Sequence, residues 1–93
     1  MFPNSVNIHG VEYTPSVTAG SEKIYLSPES SFSIRLREDL QGRLEERLQC
    51  VIGLGSPVID GGWSSFENAH VRKRFLKVVN AYYDRYPEEL YLA

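Results

Sequence analysis

Cysteine is nearly absent from this chain. Cys50 stands alone, so no disulfide can form within the chain, and a reducing, cytoplasmic setting is expected. Histidine is almost as scarce. His9, His70 and Cys50 lie far apart with no ligand pair at metal spacing, so neither a metal nor a cofactor is expected. No apolar run approaches the ~20 residues of a membrane-spanning helix, and Met1-Phe2-Pro3-Asn4 lacks the basic and apolar regions of a signal peptide. The expectation is a soluble chain with no membrane partner. Charge of one sign is not in excess either: ten basic against twelve acidic residues give a net charge of −2, which argues against a protein whose main task is to coat nucleic acid or anionic lipid. Internal repeats and low-complexity segments are missing, and 93 residues suffice for one core, so residues 1–93 are expected to form a single domain.

What is present reads first as β. Val6-Asn7-Ile8 and Val11-Glu12-Tyr13 flank His9-Gly10, the pattern of a tight hairpin. The segment from Pro15 to Gly20 has the composition of a loop, and Glu22 to Leu26 that of a further strand. Ser27-Pro28 then admits two continuations. In one, Phe32, Ile34 and Leu36 alternate with Ser33, Arg35 and Arg37 along a strand. In the other, Ser27 caps a helix in which Phe32, Leu36, Leu40, Leu44 and Leu48 recur every four residues. The alternation is the cleaner period and favours the strand over 31–37.

Beyond Glu38 the apolar spacing turns helical. Leu40, Leu44, Leu48 and Val51 share one side of a helix over about 38–52, with Glu38, Glu45 and Gln49 opposite and Asp39, Arg43 and Arg47 in i,i+4 register. Gly53 and Pro57 end it, Val58-Ile59 suggests a short strand, and Asp60-Gly61-Gly62 reads as a turn. A second helix is expected over 64–86. Ser64 and Glu67 have the spacing of a capping box. Val71, Phe75, Val78, Val79, Tyr82 and Tyr86 form its apolar arc, and Pro87 stops it. The expected fold is therefore α+β: a small antiparallel sheet, built from the N-terminal hairpin and one or two further strands, packed against two amphipathic helices.

Catalytic constellations are weak. Ser64 or Ser65 with Glu67 and His70 has no nucleophile elbow, and Cys50 adjoins the apolar Val51-Ile52, where burial makes a thiol inert. Gly53-Leu54-Gly55 follows a helix rather than opening one and lacks the Lys-Ser/Thr of a phosphate loop. The nine residues from Val51 to Ile59 resemble the glycine loop of KH nucleic-acid-binding domains. They lack that loop's final glycine and basic residues, and Pro57 stands where a following helix would start. No binding residue carries over from the resemblance.

Two surfaces remain. Tyrosine is abundant, and Trp63, Tyr83 and Tyr91 fall at the edge of the helical arc beside Asp60, Glu88 and Glu89. An aromatic patch with acidic neighbours suits a protein partner. The expected function is a small non-enzymatic protein-binding module, of the inhibitor, immunity or adaptor kind, that occupies a partner's surface. The alternative is a nucleic-acid-associated module using Arg72, Lys73, Arg74 and Lys77, the one basic cluster. A structural or self-assembling role, with a homodimer, is the third reading.

Overall fold

The computed structural model describes residues 1–51 and 58–85. It contains six antiparallel strands: β1 (Val6–Ile8), β2 (Val11–Ala19), β3 (Glu22–Leu26), β4 (Phe32–Glu38), β5 (Leu44–Val51) and β6 (Val58–Ser65). One helix follows them, α1 (Ala69–Arg85). Each strand pairs with the next in sequence, so the sheet is a meander in the order β1-β2-β3-β4-β5-β6. It curls into a half-barrel with the helix on its inner side. The expectation of a small sheet against two helices is thus corrected: the fold is mostly sheet, and the described residues of the expected first helix, 38–51, belong to β4, a hairpin turn and β5.

The correction has a specific cause. A spacing of four is a multiple of two, so Leu44 and Leu48 satisfy a strand as well as a helix. In β5 the inward side also takes Glu46 and Cys50, while Glu45, Arg47 and Gln49 face outward. Asp39 decides the outcome locally. Its backbone N–H and C=O bond Arg43 and Gly42 across the turn, and its Oδ1 accepts the N–H groups of Gln41 (2.9 Å) and Arg43 (2.8 Å), a use of Asp that competes with helix formation. Leu40, expected on the helical stripe, sits at the hairpin tip, 99% exposed.

The N-terminal elements follow the sequence more closely. His9 and Gly10 have φ values of 49° and 83°, the left-handed pair of a two-residue hairpin turn, and Gly10 N–H donates to Asn7 Oδ1 at 3.0 Å. The strand over Glu22–Leu26 and the alternation of Phe32 to Arg37 both form as expected. The expected loop from Pro15 onward is instead the second half of β2, with a bulge between Pro15 and Val17. A bulge accommodates the missing proline donor.

In β6, Asp60-Gly61-Gly62 is not a turn but a second bulge: Arg47 pairs with Trp63 and Gln49 with Asp60, so Leu48 alone faces Gly61 and Gly62. Gly62 has φ 72°, which a side chain would oppose by about 1–2 kcal/mol. The strand also occupies the place where the KH resemblance called for a helix.

The second helix starts later than expected. Ser64 is in β6, and its hydroxyl is buried with no hydrogen-bond partner among the described residues. The cap is Asn68, whose Oδ1 accepts Val71 N–H at 3.2 Å after a turn in which Glu67 has φ 64°. The core gathers Val6, Ile8, Tyr13, Tyr25, Ile34, Leu36, Leu48 and Cys50 from the sheet with Phe75 and Val79 from the helix. Among the described residues no helix is long and apolar enough to cross a membrane.

Candidate functional site

The helix is fastened to the sheet by a buried ion pair. Glu46, fully buried on β5, accepts Arg72 Nε (2.9 Å) and Nη2 (2.7 Å), and its Oε1 also accepts Glu67 N–H (2.9 Å). Arg72 is drawn inward, so the line of α1 that enters the core is Arg72, Phe75 and Val79 rather than the middle of the apolar arc. Val71 and Val78, expected inside, are left at the margin, with Val78 50% exposed.

That rotation opens a cleft. Between β6 and α1 lies a space of about 210 Å³ lined by Ile59, Asp60, Gly61, Val71, Arg74, Phe75 and Val78. Gly61 sets its floor: a Cβ there would lie 3.1 Å from Phe75 Cδ1 and 3.4 Å from the Leu48 carbonyl oxygen. The cleft flanks an edge strand. Among the described residues nothing pairs with the outer side of β6, which spans eight residues against the three of β1 at the other sheet edge. Its first residue, Val58, is 48% exposed.

Natural edge strands are commonly guarded by Lys, Pro, shortness or a cover. β6 carries neither Lys nor Pro, and its one charge, Asp60, is committed elsewhere. Asp60 accepts bidentate bonds from Arg47, a bond from Gln49 Nε2 (3.1 Å) and Gly62 N–H (2.8 Å). Hydrogen bonding to Arg47 outweighs partial burial and holds the Asp60 carboxyl down at about 2.

Asp60 belongs to a ladder across the outer face of the sheet. Arg35 bonds Gln49 (3.2 Å) and Glu22 (3.1 Å), Arg37 bonds Glu45 (3.0 Å), and the Arg37 guanidinium stacks 3.8 Å from the centroid of Trp63. The polar groups here satisfy one another.

The residues expected to bind a partner are accordingly divided. Trp63 and Asp60 share the outer face, engaged with Arg37 and Arg47. Tyr83 is on the opposite side, its hydroxyl 3.5 Å from Cys50 Sγ. Tyr91, Glu88 and Glu89 lie outside the described residues. Of the basic cluster, Arg72 faces Glu46 inside, whereas Lys73, Arg74 and Lys77 are exposed. Lys73 and Lys77 line a second, wider groove of about 600 Å³ with His9, Leu76, Asn80, Ala81 and Asp84.

The thiol of Cys50 is pushed up by burial despite its contact with Tyr83, which suits a packed core sulfur. Among the described residues no three His, Cys, Asp or Glu side chains come together to hold a metal ion.

Sequence reasoning missed Val58, Ile59 and Val78 as a site. The available signal was the width of the helical arc: six apolar positions from Val71 to Tyr86 exceed what a single contact line needs. No protein-family model matches the chain, and no curated protein or solved structure matches it significantly.

Proposed function

We propose that this chain is a small protein-binding module, non-enzymatic and of the inhibitor, immunity or adaptor kind, that takes an extended segment of another protein onto the free edge of β6. The observation that carries the reading is the eight-residue edge strand, whose outer side has no strand partner among the described residues, with an open apolar cleft along its inner side. An exposed edge supplies main-chain donors and acceptors, and the adjacent cleft receives alternate side chains, the two parts of recognition by strand addition. Glu46, Asp60 and Cys50 support the non-enzymatic part, since each is engaged with a partner that holds the fold together. A reducing compartment suits the single buried thiol.

The test is affinity capture from the native cell lysate with wild type, Val58→Lys, Val78→Gln and Trp63→Ala. A stoichiometric protein retained by wild type and Trp63→Ala, and lost with the first two variants, supports the reading. Loss with Trp63→Ala alone would move the site to the outer face. Recovery of nuclease-sensitive nucleic acid, released by moderate salt, would overturn the reading in favour of the exposed basic residues of α1.

A further inference from the structure

The charge beside the cleft constrains what it could hold. α1 carries Arg72, Lys73, Arg74, Lys77 and Arg85 against the single acid Asp84, in a chain whose net charge is −2. Glu46 neutralises Arg72. Arg74 lines the cleft itself. His70, Arg74 and Lys77 follow one another at i, i+4 and i+7, a stripe on the solvent side of the Val71-Val78 row that runs from the cleft to the second groove, which Lys77 lines. None of the three has an ion-pair partner among the described residues, although every arginine of the outer sheet face is paired.

We infer that the segment received by β6 is a mixed acidic and apolar strand of another protein, in which inward-facing positions alternate between aliphatic side chains for the cleft and Asp or Glu for Arg74 and Lys77. This rests on the strand-addition reading above and adds the partner's composition to it. The dimensions agree. Val71 and Val78 are seven helical residues apart, about 10.5 Å, and inward side chains of a strand recur every ~6.8 Å. About two inward positions of the strand therefore fall along the row, one aliphatic side chain for the cleft and one carboxylate for the stripe beside it. A neutral segment would leave the stripe uncompensated, and a basic one would meet like charge.

The experiment is selection of a phage-displayed random dodecapeptide library on the full chain, followed by calorimetry and amide hydrogen exchange with the best synthetic peptide. The expected result is enrichment of Asp or Glu interleaved with Val, Ile or Leu, and slowed exchange of β6 amides on binding. Affinity should fall about tenfold in Arg74→Glu/Lys77→Glu, and should fall with added salt.

Peptides that protect β6 but are neutral or basic, and bind the charge-reversed variant equally well, would overturn the inference and leave the strand-addition reading standing. Selected peptides that leave β6 exchange unchanged, or bind Val58→Lys and Val78→Gln as tightly as wild type, would overturn both. So would a dimer in sedimentation whose β6 amides are already protected without peptide, since a second copy would then be the occupant. Melting curves establish that each variant is folded, and Ser65→Lys, at the other end of the edge, replaces Val58→Lys if that variant is not.

Discussion

Glu46 shows how much of this fold depends on one side chain. Its carboxylate serves Arg72 twice and the Glu67 amide once with no access to water, and removing one member of such a group leaves the others buried and unpaired. Glu46→Gln or Arg72→Met alone should cost about 3–5 kcal/mol in urea unfolding. A chain of this length holds only about 5–14 kcal/mol in total, so either variant sits near its limit. The double variant Glu46→Leu/Arg72→Met removes both charges and leaves only the Glu67 amide orphaned, a loss of about 1–3 kcal/mol. The expected signature is that the double variant is more stable than either single one. Asp60 makes a pH-dependent contribution of the opposite exposure. Its carboxyl is depressed to about 2 by Arg47, so the stabilisation is complete above an unfolded value near ~4. It disappears as pH falls through about 2. Asp60→Asn should lower stability at neutral pH and flatten the dependence between those limits, and carbon-detected titration of Asp60 should give the depressed midpoint directly.

Elements in this chain are assembled by turn chemistry as much as by apolar period. The strands from Glu22 to Glu38 were legible because alternating Phe32, Ile34 and Leu36 admit one good period, and the His9-Gly10 turn because few residues adopt its backbone. β5 was not, because Leu44 and Leu48 fit two periods and the arbiter was the turn from Asp39 to Gly42, four residues that a helical reading absorbs into its first turn. The candidate cleft was illegible for a related reason. The rotation of α1 is set by Arg72 meeting Glu46 from 26 residues away, and no local pattern reports a buried arginine. The approach of α1 to β6 depends in turn on Gly61. With Phe75 Cδ1 only 3.1 Å from a would-be Cβ, Gly61→Ala makes the Phe75 ring, packed between helix and sheet, give way by a few tenths of an ångström. The expected cost is about 1–3 kcal/mol in thermal or urea unfolding, with a weaker near-ultraviolet circular dichroism signal from the displaced aromatic contacts. Gly61→Val should be worse than Gly61→Ala. Equal stability of Gly61→Ala and wild type would show that β6 and α1 are not held at this distance.

At the scale of the whole molecule, the curled sheet and the helix enclose a core that admits charge only as a matched pair. Tyr13, Tyr25 and Cys50 all lie in it, and all three are pushed toward their neutral forms, chiefly by burial. Tyr13 is raised to about 12, with Cys50 and Glu29 adding to the effect of burial and Arg72 opposing it. The direction fixes the consequence. A phenol whose folded pKa lies above its unfolded value of ~10 contributes fully below that value, because the folded and unfolded states then bind the proton equally. Between pH ~10 and 12 the unfolded state releases the proton and the folded state keeps it, so stability falls as pH rises through this window. The loss should be visible as a declining urea midpoint from pH 9 to 12. Tyrosinate absorbance at 295 nm should rise in two stages, the second coinciding with unfolding as measured by far-ultraviolet circular dichroism. Tyr13→Phe tests the assignment. It keeps the ring in the core and removes the titrating group, so its urea midpoint should decline less steeply over the same interval. An unchanged slope would place the alkaline limit of this fold elsewhere than in the core beneath α1.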